Sequence, residues 1–102
     1  MLRIANAPVS WAVFVAAAPT NPPWRRVLDE IGEAGYRWLE LGPSGFFPEQ
    51  PDVLRPELER RNLQVAGTFL SEDLQDRRAR DRILATTHRI GRLLAELNAK
   101  YL

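Results

Sequence analysis

The fold is decided by the stretch Gly35-Tyr36-Arg37-Trp38-Leu39-Glu40-Leu41-Gly42. A glycine that ends a helical segment is followed here by an apolar, strand-like run, and a carboxylate lies near the end of that run. Ionised glutamate is rarely fully buried in a strand unless it has a partner or a function. In parallel α/β folds the functional groups lie at the carboxyl ends of the strands. Glu40 therefore predicts both a parallel sheet and a site at its rim.

The rest of the chain repeats this alternation of strand and helix. Strands are predicted at 2–7, 36–41 and 63–69, with entry to a fourth at 99–102. Helices are predicted from Thr20 or Asn21 to Gly35, at 52–61 and at 74–97, because apolar residues recur there at helical spacing. Pro56 fits the second helix only near its start or at a bend. The order β-α-β-α-β-α-(β) predicts right-handed crossovers and a parallel sheet.

Three apolar stripes are predicted to face the sheet, one from each helix. They comprise Trp24, Val27, Leu28, Ile31 and Ala34; Val53, Leu54 and Leu58; and Ile83, Leu84, Thr87, Ile90, Leu94 and Leu97.

Composition excludes several classes of protein. The 14 Lys and Arg residues nearly balance 13 Asp and Glu residues, so the net charge of +1 does not indicate nucleic acid or an anionic membrane as a partner. The absence of cysteine excludes disulfides and thiol chemistry and agrees with a cytoplasmic location. The apolar stretch near the N-terminus is interrupted by Asn6, Pro8 and Ser10, which disfavours a signal peptide.

Three segments carry a resemblance to a known family. They are Ile4-Ala5-Asn6-Ala7-Pro8-Val9-Ser10-Trp11, then Val27-Leu28-Asp29-Glu30-Ile31-Gly32-Glu33-Ala34-Gly35-Tyr36, then Leu39-Glu40-Leu41-Gly42-Pro43. In order and spacing they resemble the xylose isomerase-like sugar phosphate isomerase/epimerase family, and most closely its inosose dehydratase-like branch. The chain departs from the family pattern at Ala12, where glycine is expected, and at Val15, where an acidic residue is common.

The resemblance implies a (β/α)8 TIM barrel that isomerises, epimerises or dehydrates a small sugar or cyclitol. Family members use a divalent metal, Mn²⁺, Co²⁺ or Mg²⁺, to stabilise an enediolate-like intermediate. Because such a barrel needs about 250 residues, residues 1–102 are expected to form its N-terminal three-and-a-half βα units and to stop at the start of strand 4. The metal ligands are expected on later strands, so this chain alone is expected to be inactive.

The resemblance and the strand-end rule together give the candidate substrate-binding residues Glu40, Trp11, Ser10 and Asn6. No catalytic residue and no metal ligand is assigned. The alternative for Glu40 is a structural ion pair with an arginine, and the alternative for Trp11 is burial in the core beside a capped turn.

Other features are given structural interpretations. The loop Gly42-Pro43-Ser44-Gly45 lacks a phosphate-loop lysine, so an ordinary loop is favoured over a phosphate site. Phe46 and Phe47 are interpreted as packing residues, and His88 as a surface residue of a helix. The charges between Glu72 and Arg82 alternate in sign, which is typical of a solvated, salt-bridged surface.

Two further functions stay open from the sequence. The chain could be a small α/β ligand-binding module, or a half-barrel that completes its fold with a partner chain or by self-association through its open sheet.

Overall fold

The computed structural model describes residues 2–102 and confirms the α/β alternation. The strands are β1 (Ala5–Asn6), β2 (Trp38–Glu40) and β3 (Gln64–Gly67); the helices are α1 (Trp24–Glu33), α2 (Pro51–Arg60) and α3 (Arg80–Glu96); and 3-10 turns lie at Pro8–Trp11 and Arg77–Ala79.

The strands form one parallel sheet in the order β1-β2-β3. Ala5 is in register with Trp38, and Trp38 with Gln64. Beyond β3, Tyr101 makes a parallel bridge to Gly67, so the predicted entry to a fourth strand lies beside the third. Gly67 permits this approach, because a Cβ atom there would lie 2.2 Å from the carbonyl oxygen of Tyr101. The architecture is compatible with part of a βα barrel.

The two faces of the sheet differ in what covers them. Leu39, Leu41 and Val65 are buried in the core that the three helices form on one face. On the other face Trp38 is half-buried and Ala5 exposed, and the guanidinium carbon of Arg3 lies 4.7 Å from the centroid of the Trp38 ring. Among residues 2–102, no helix packs on this second face, which we call the uncovered face.

Helix α1 agrees with most of its apolar pattern but not with its predicted cap, and Ala34, predicted for the buried stripe, is exposed just past the helix end, so that assignment was wrong. Val27, Leu28 and Ile31 are fully buried, and Gly35 adopts the left-handed conformation with φ of 91°. Asn21 does not cap the helix. Its amide nitrogen instead donates to the carbonyl oxygen of Val15 at 2.8 Å, so the side chain folds the preceding loop back on itself.

Helix α2 begins at Pro51 and contains Pro56 in its interior, so the predicted start was one residue late. Pro56 has no N–H to donate to the carbonyl of Asp52, which lowers the stability of this helix. Leu54 and Leu58 are buried as predicted, whereas Val53 is 43% exposed, so its assignment to the buried face was wrong. Asn62 ends this unit with φ of 55°, as predicted for a left-handed residue.

Helix α3 begins later than predicted. Asp76 accepts a hydrogen bond from the backbone N–H of Arg78 at 3.0 Å and starts a 3-10 turn, so the regular helix begins only at Arg80. Its buried residues lie in its second half: Ile90, Leu93 and Leu94. Leu84 is 46% exposed, so its place in the predicted stripe was wrong. No helix among residues 2–102 has the length and apolar character needed to span a bilayer.

Candidate functional site

Glu40 is the last residue of β2, at the carboxyl end of the sheet. The ladder is irregular at this point: Leu39 is in register with Val65, but Glu40 is in register with Gly67. The unpaired residue is Ala66 of β3, so the irregularity lies in the strand beside Glu40 and β2 itself stays regular. Alternation along β2 places the buried Leu39 on the helix-covered face, so Glu40 belongs to the uncovered face.

The Glu40 carboxylate is half-buried. Within residues 2–102 it takes part in no hydrogen bond between side chains and in no ion pair, so the arginine partner of the structural alternative is not seen there. A carboxylate in this setting can accept hydrogen bonds from the hydroxyl groups of a ligand.

Asn6 and Ser10 lie together at the carboxyl end of β1. The Asn6 Oδ1 atom accepts a hydrogen bond from Ser10 Oγ at 2.6 Å and another from the backbone N–H of Ala7 at 2.8 Å. The turn Pro8–Trp11 therefore folds back so that Ser10 contacts Asn6, the last residue of β1. Because Oδ1 is occupied twice, the Asn6 amide group is held in one orientation and its NH2 group stays available as a donor.

Trp11 lies at the end of the same turn and is directed toward α1. Its indole Nε1 donates to Oε2 of Glu30, and its ring packs against the hydrophobic core. The other Glu30 oxygen accepts from Arg26 Nε at 2.7 Å. The hydrogen bond from Arg26, followed by that from Trp11, holds the pKa of Glu30 below its usual value. Trp11 is thus a half-buried packing residue with a fixed polar end.

The structure brings the four predicted residues to one end of the sheet but not into one cluster. Asn6 is in register with Leu39, so Asn6 and Glu40 are one step apart along neighbouring strands and belong to alternate faces. The loops that follow these strands are in contact, since a Cβ atom on Gly42 would lie 2.9 Å from Cγ of Pro8.

The loop after β2 is held by packing and by one polar cluster. Phe46 and Phe47 are 7% and 4% exposed and their ring centroids are 4.9 Å apart, which confirms that they are packing residues. Ser44 Oγ donates to Glu49 at 2.8 Å, and Arg89 on α3 forms an ion pair with the same carboxylate. The partly open cleft between this loop and Thr68 has about 20 Å³ of space for a water-sized molecule, room for roughly one water.

The other ionisable groups to which the sequence drew attention lie on the surface. His88 is exposed on α3 as predicted. Arg82 and Glu72 form an ion pair of 2.9 Å, in agreement with a salt-bridged surface. Within residues 2–102, no three His, Asp or Glu side chains converge in a way that could hold a metal ion.

Two residues near the site were not predicted from the sequence. Thr68 follows β3, and its hydroxyl donates to the carbonyl oxygen of Gly42 at 3.0 Å, which links the loops after β2 and β3. The strand-end rule that identified Glu40 would also have identified Thr68. Glu30 had no comparable signal, because 19 residues separate it from Trp11.

Comparison with known proteins finds related enzymes. The chain is 47% identical over 47 residues to an inosose dehydratase of Bacillus licheniformis and, to the same extent, to one of Bacillus velezensis; each match covers 46% of this chain and 15% of the relative. It is 28% identical over 100 residues to the inosose dehydratase of Geobacillus kaustophilus. This match covers 97% of this chain and 32% of that protein. The chain thus spans about a third of that relative's length.

No family model matches the chain, and no solved structure matches it. The matches to curated proteins include one along nearly the whole chain, and they support a relationship between this α/β segment and the inosose dehydratases.

Proposed function

We propose that residues 1–102 contribute a substrate-binding rim to an enzyme of the inosose dehydratase type, which acts on a small cyclitol ketone. The names of the related proteins support the substrate class. The parallel α/β order supports a place in a βα barrel of the xylose isomerase-like type, the fold that the sequence resemblance implies.

The observation that carries this proposal is the position of Glu40. It is an ionisable side chain at the carboxyl end of a parallel strand, on the uncovered face, without a side-chain partner among residues 2–102. In βα barrels the ends of the strands supply the groups that contact substrate. A strand glutamate with only a structural role would be expected to have an arginine or lysine beside it.

Dehydration of a hydroxy ketone removes a proton beside the carbonyl and expels a hydroxyl group as water. These events need one group that accepts a proton and another that donates one. Glu40 is the only carboxylate at the end of a strand among the described residues, so we assign it to binding a substrate hydroxyl. The 102 residues then form part of a catalytic site and do not complete the reaction alone.

The metal expected from the family resemblance has no ligand set among the described residues. A divalent Mn²⁺, Co²⁺ or Mg²⁺ ion therefore stays a prediction for the enzyme as a whole. No residue of this segment is assigned to it, and no step of the reaction is derived through it.

One observation favours a second function, that of a half-barrel completed by another chain. Large apolar side chains are exposed beside both edges of the sheet: Leu2 (85%) and Ile4 (62%) lie just before β1, and Tyr101 (72%) bridges to β3. An open parallel sheet with such edges is expected to pair with further strands. The size of the particle in solution separates this function from that of a monomeric binding module.

Turnover of an inosose by the intact gene product tests the proposed enzyme. Loss of water is followed by mass spectrometry in the presence of each of the three divalent metals. We expect dehydration, and a several-fold fall in kcat/KM for Glu40→Gln, because glutamine keeps an oxygen acceptor but loses the charge that strengthens the hydrogen bond. The matched control is Glu33→Gln on the exposed side of α1, which is expected to retain activity. Absence of turnover with every metal would contradict the proposal.

A further inference from the structure

The loop that carries the Asn6–Ser10 pair is tied to α1 by one side-chain hydrogen bond, from Trp11 to Glu30. Within residues 2–102, no other side-chain hydrogen bond joins the turn Pro8–Trp11 to that helix. Glu30 is oriented for this contact, because its second oxygen is held by Arg26 one helical turn earlier. The acceptor of the indole N–H is therefore held in position by a contact within α1.

The turn needs such an anchor because its exit is strained. Ala12 follows Trp11 with φ of 59° and ψ of 29°, a left-handed conformation that is unfavourable for a residue with a Cβ atom. Strained backbone of this kind persists only where the surroundings fix it. On one side of Ala12, Trp11 is bound to Glu30, and on the other side Val13 is only 1% exposed.

The turn and the rim form one unit. Ser10 immediately precedes Trp11, and its hydroxyl donates to Asn6 at the end of β1. The backbone N–H of Ser10 also donates to the carbonyl oxygen of Ala7 at 3.0 Å. Because Trp11 is the next residue in this turn, its contact with Glu30 also restrains the backbone that carries Ser10.

We propose that Glu30 is a positioning residue, which holds Asn6 and Ser10 in their binding geometry through the Trp11 indole. This inference rests on the proposed function, in which Asn6 and Ser10 contact the cyclitol. Glu30 itself lies on the helix-covered side and acts only through Trp11.

Hydrogen exchange and kinetics of the intact gene product test this inference. In Glu30→Ala, we expect backbone exchange in a peptide spanning residues 5–11 to accelerate by about tenfold, because local opening becomes easier when its anchor is lost. Glu30→Gln keeps an oxygen acceptor and is expected to restore slow exchange. Glu33→Ala, an exposed position on the same helix, is the matched control and is expected to leave exchange unchanged.

The kinetic readout separates positioning from stability. We expect Glu30→Ala to raise the KM for an inosose several-fold, with Glu30→Gln close to the parent enzyme. Unchanged exchange in residues 5–11, or faster exchange with an unchanged KM, would overturn the inference. If the parent protein does not turn over an inosose, the proposed function fails, and the exchange experiment alone still decides whether Glu30 holds the turn.

Discussion

At the scale of single residues, the rim depends on contacts between the loops that follow β1 and β2. Pro8 is buried against Gly42, which has φ of 71° and leaves no space for a Cβ atom. This contact positions the turn bearing Ser10 beside the strand end bearing Glu40. Gly42 is therefore required both for its backbone conformation and for its small size.

Replacement of Gly42 by alanine tests this contact. We expect Gly42→Ala to lower the free energy of unfolding by about 1–3 kcal/mol, since it combines a left-handed backbone with a steric clash. Gly91→Ala is the control, because Gly91 is helical and a Cβ atom there meets nothing within 4 Å; it is expected to stabilise α3 by up to about 1 kcal/mol. Denaturant titration of the intact gene product measures both, and an equal effect of the two substitutions would refute the role of Gly42.

The residues differ in how far the sequence could predict them. Glu40 could be identified from the sequence as a candidate binding residue, because its carboxylate lies at the end of an otherwise apolar, strand-like run. The contact between Trp11 and Glu30 could not be predicted from the sequence, since it depends on how a loop packs against a helix. Ala12 is intermediate: glycine is expected there from the resemblance, and the structure gives the reason in a left-handed backbone.

At the scale of elements, α1 and α2 are joined by a network of charges centred on Glu57. Its carboxylate accepts from Arg61 at 2.6 Å and from Arg25 on α1 at 3.0 Å. Arg61 also binds Asp29 of α1 at 2.6 Å. The hydrogen bonds from Arg61 and Arg25 lower the pKa of Glu57 from 4.5 to about 2.

This network predicts a pH dependence of stability. Because the pKa of Glu57 is lower in the folded than in the unfolded state, its contribution is present above pH 4.5 and is lost as the pH falls toward about 2. We expect Glu57→Gln to reduce the loss of stability across this window, whereas Glu59→Gln, at an exposed position, leaves it unchanged. Thermal unfolding of the intact gene product across this pH range measures the effect, and parallel curves for parent and Glu57→Gln would contradict it.

The periodicity of apolar residues predicted the type and order of the helices and strands, but it did not predict where some of the helices begin. Helix α3 starts at Arg80 because Asp76 caps the 3-10 turn that precedes it. The sequence did not predict this cap, because Asp76 lies in a charged segment in which apolar residues do not recur at helical spacing. Helix α2 includes Pro56 in its interior because Leu54 and Leu58 on either side of it are held in the core. Tertiary packing here overrides a local preference.

At the scale of the whole molecule, the uncovered face of the sheet is the dominant feature. Ala5 and the half-buried Trp38 lie on it. At the edges of the sheet, Leu2 and Ile4 just before β1 and Tyr101 beside β3 expose large apolar side chains. Apolar surface of this kind is stable only when further strands or another chain cover it. Under the proposed function, further strands of a βα barrel would provide that cover.

The uncovered face predicts the behaviour of residues 1–102 when they are produced alone. We expect marginal stability and self-association, because an unpaired edge and an apolar face both favour contacts between copies. Sedimentation velocity measures the size of the particles, and thermal unfolding measures their stability. A monomer with a sharp unfolding transition would contradict this expectation and would favour the small binding module.

The most direct test of the central claim is a crystal structure of the intact gene product with an inosose bound. We predict that a hydroxyl group of the ligand lies about 3 Å from the Glu40 carboxylate, at hydrogen-bonding distance, with Asn6 and Ser10 at the adjacent strand end. An inosose bound at a place remote from the ends of β1 and β2, or a Glu40 side chain paired with an arginine in the complex, would contradict the account.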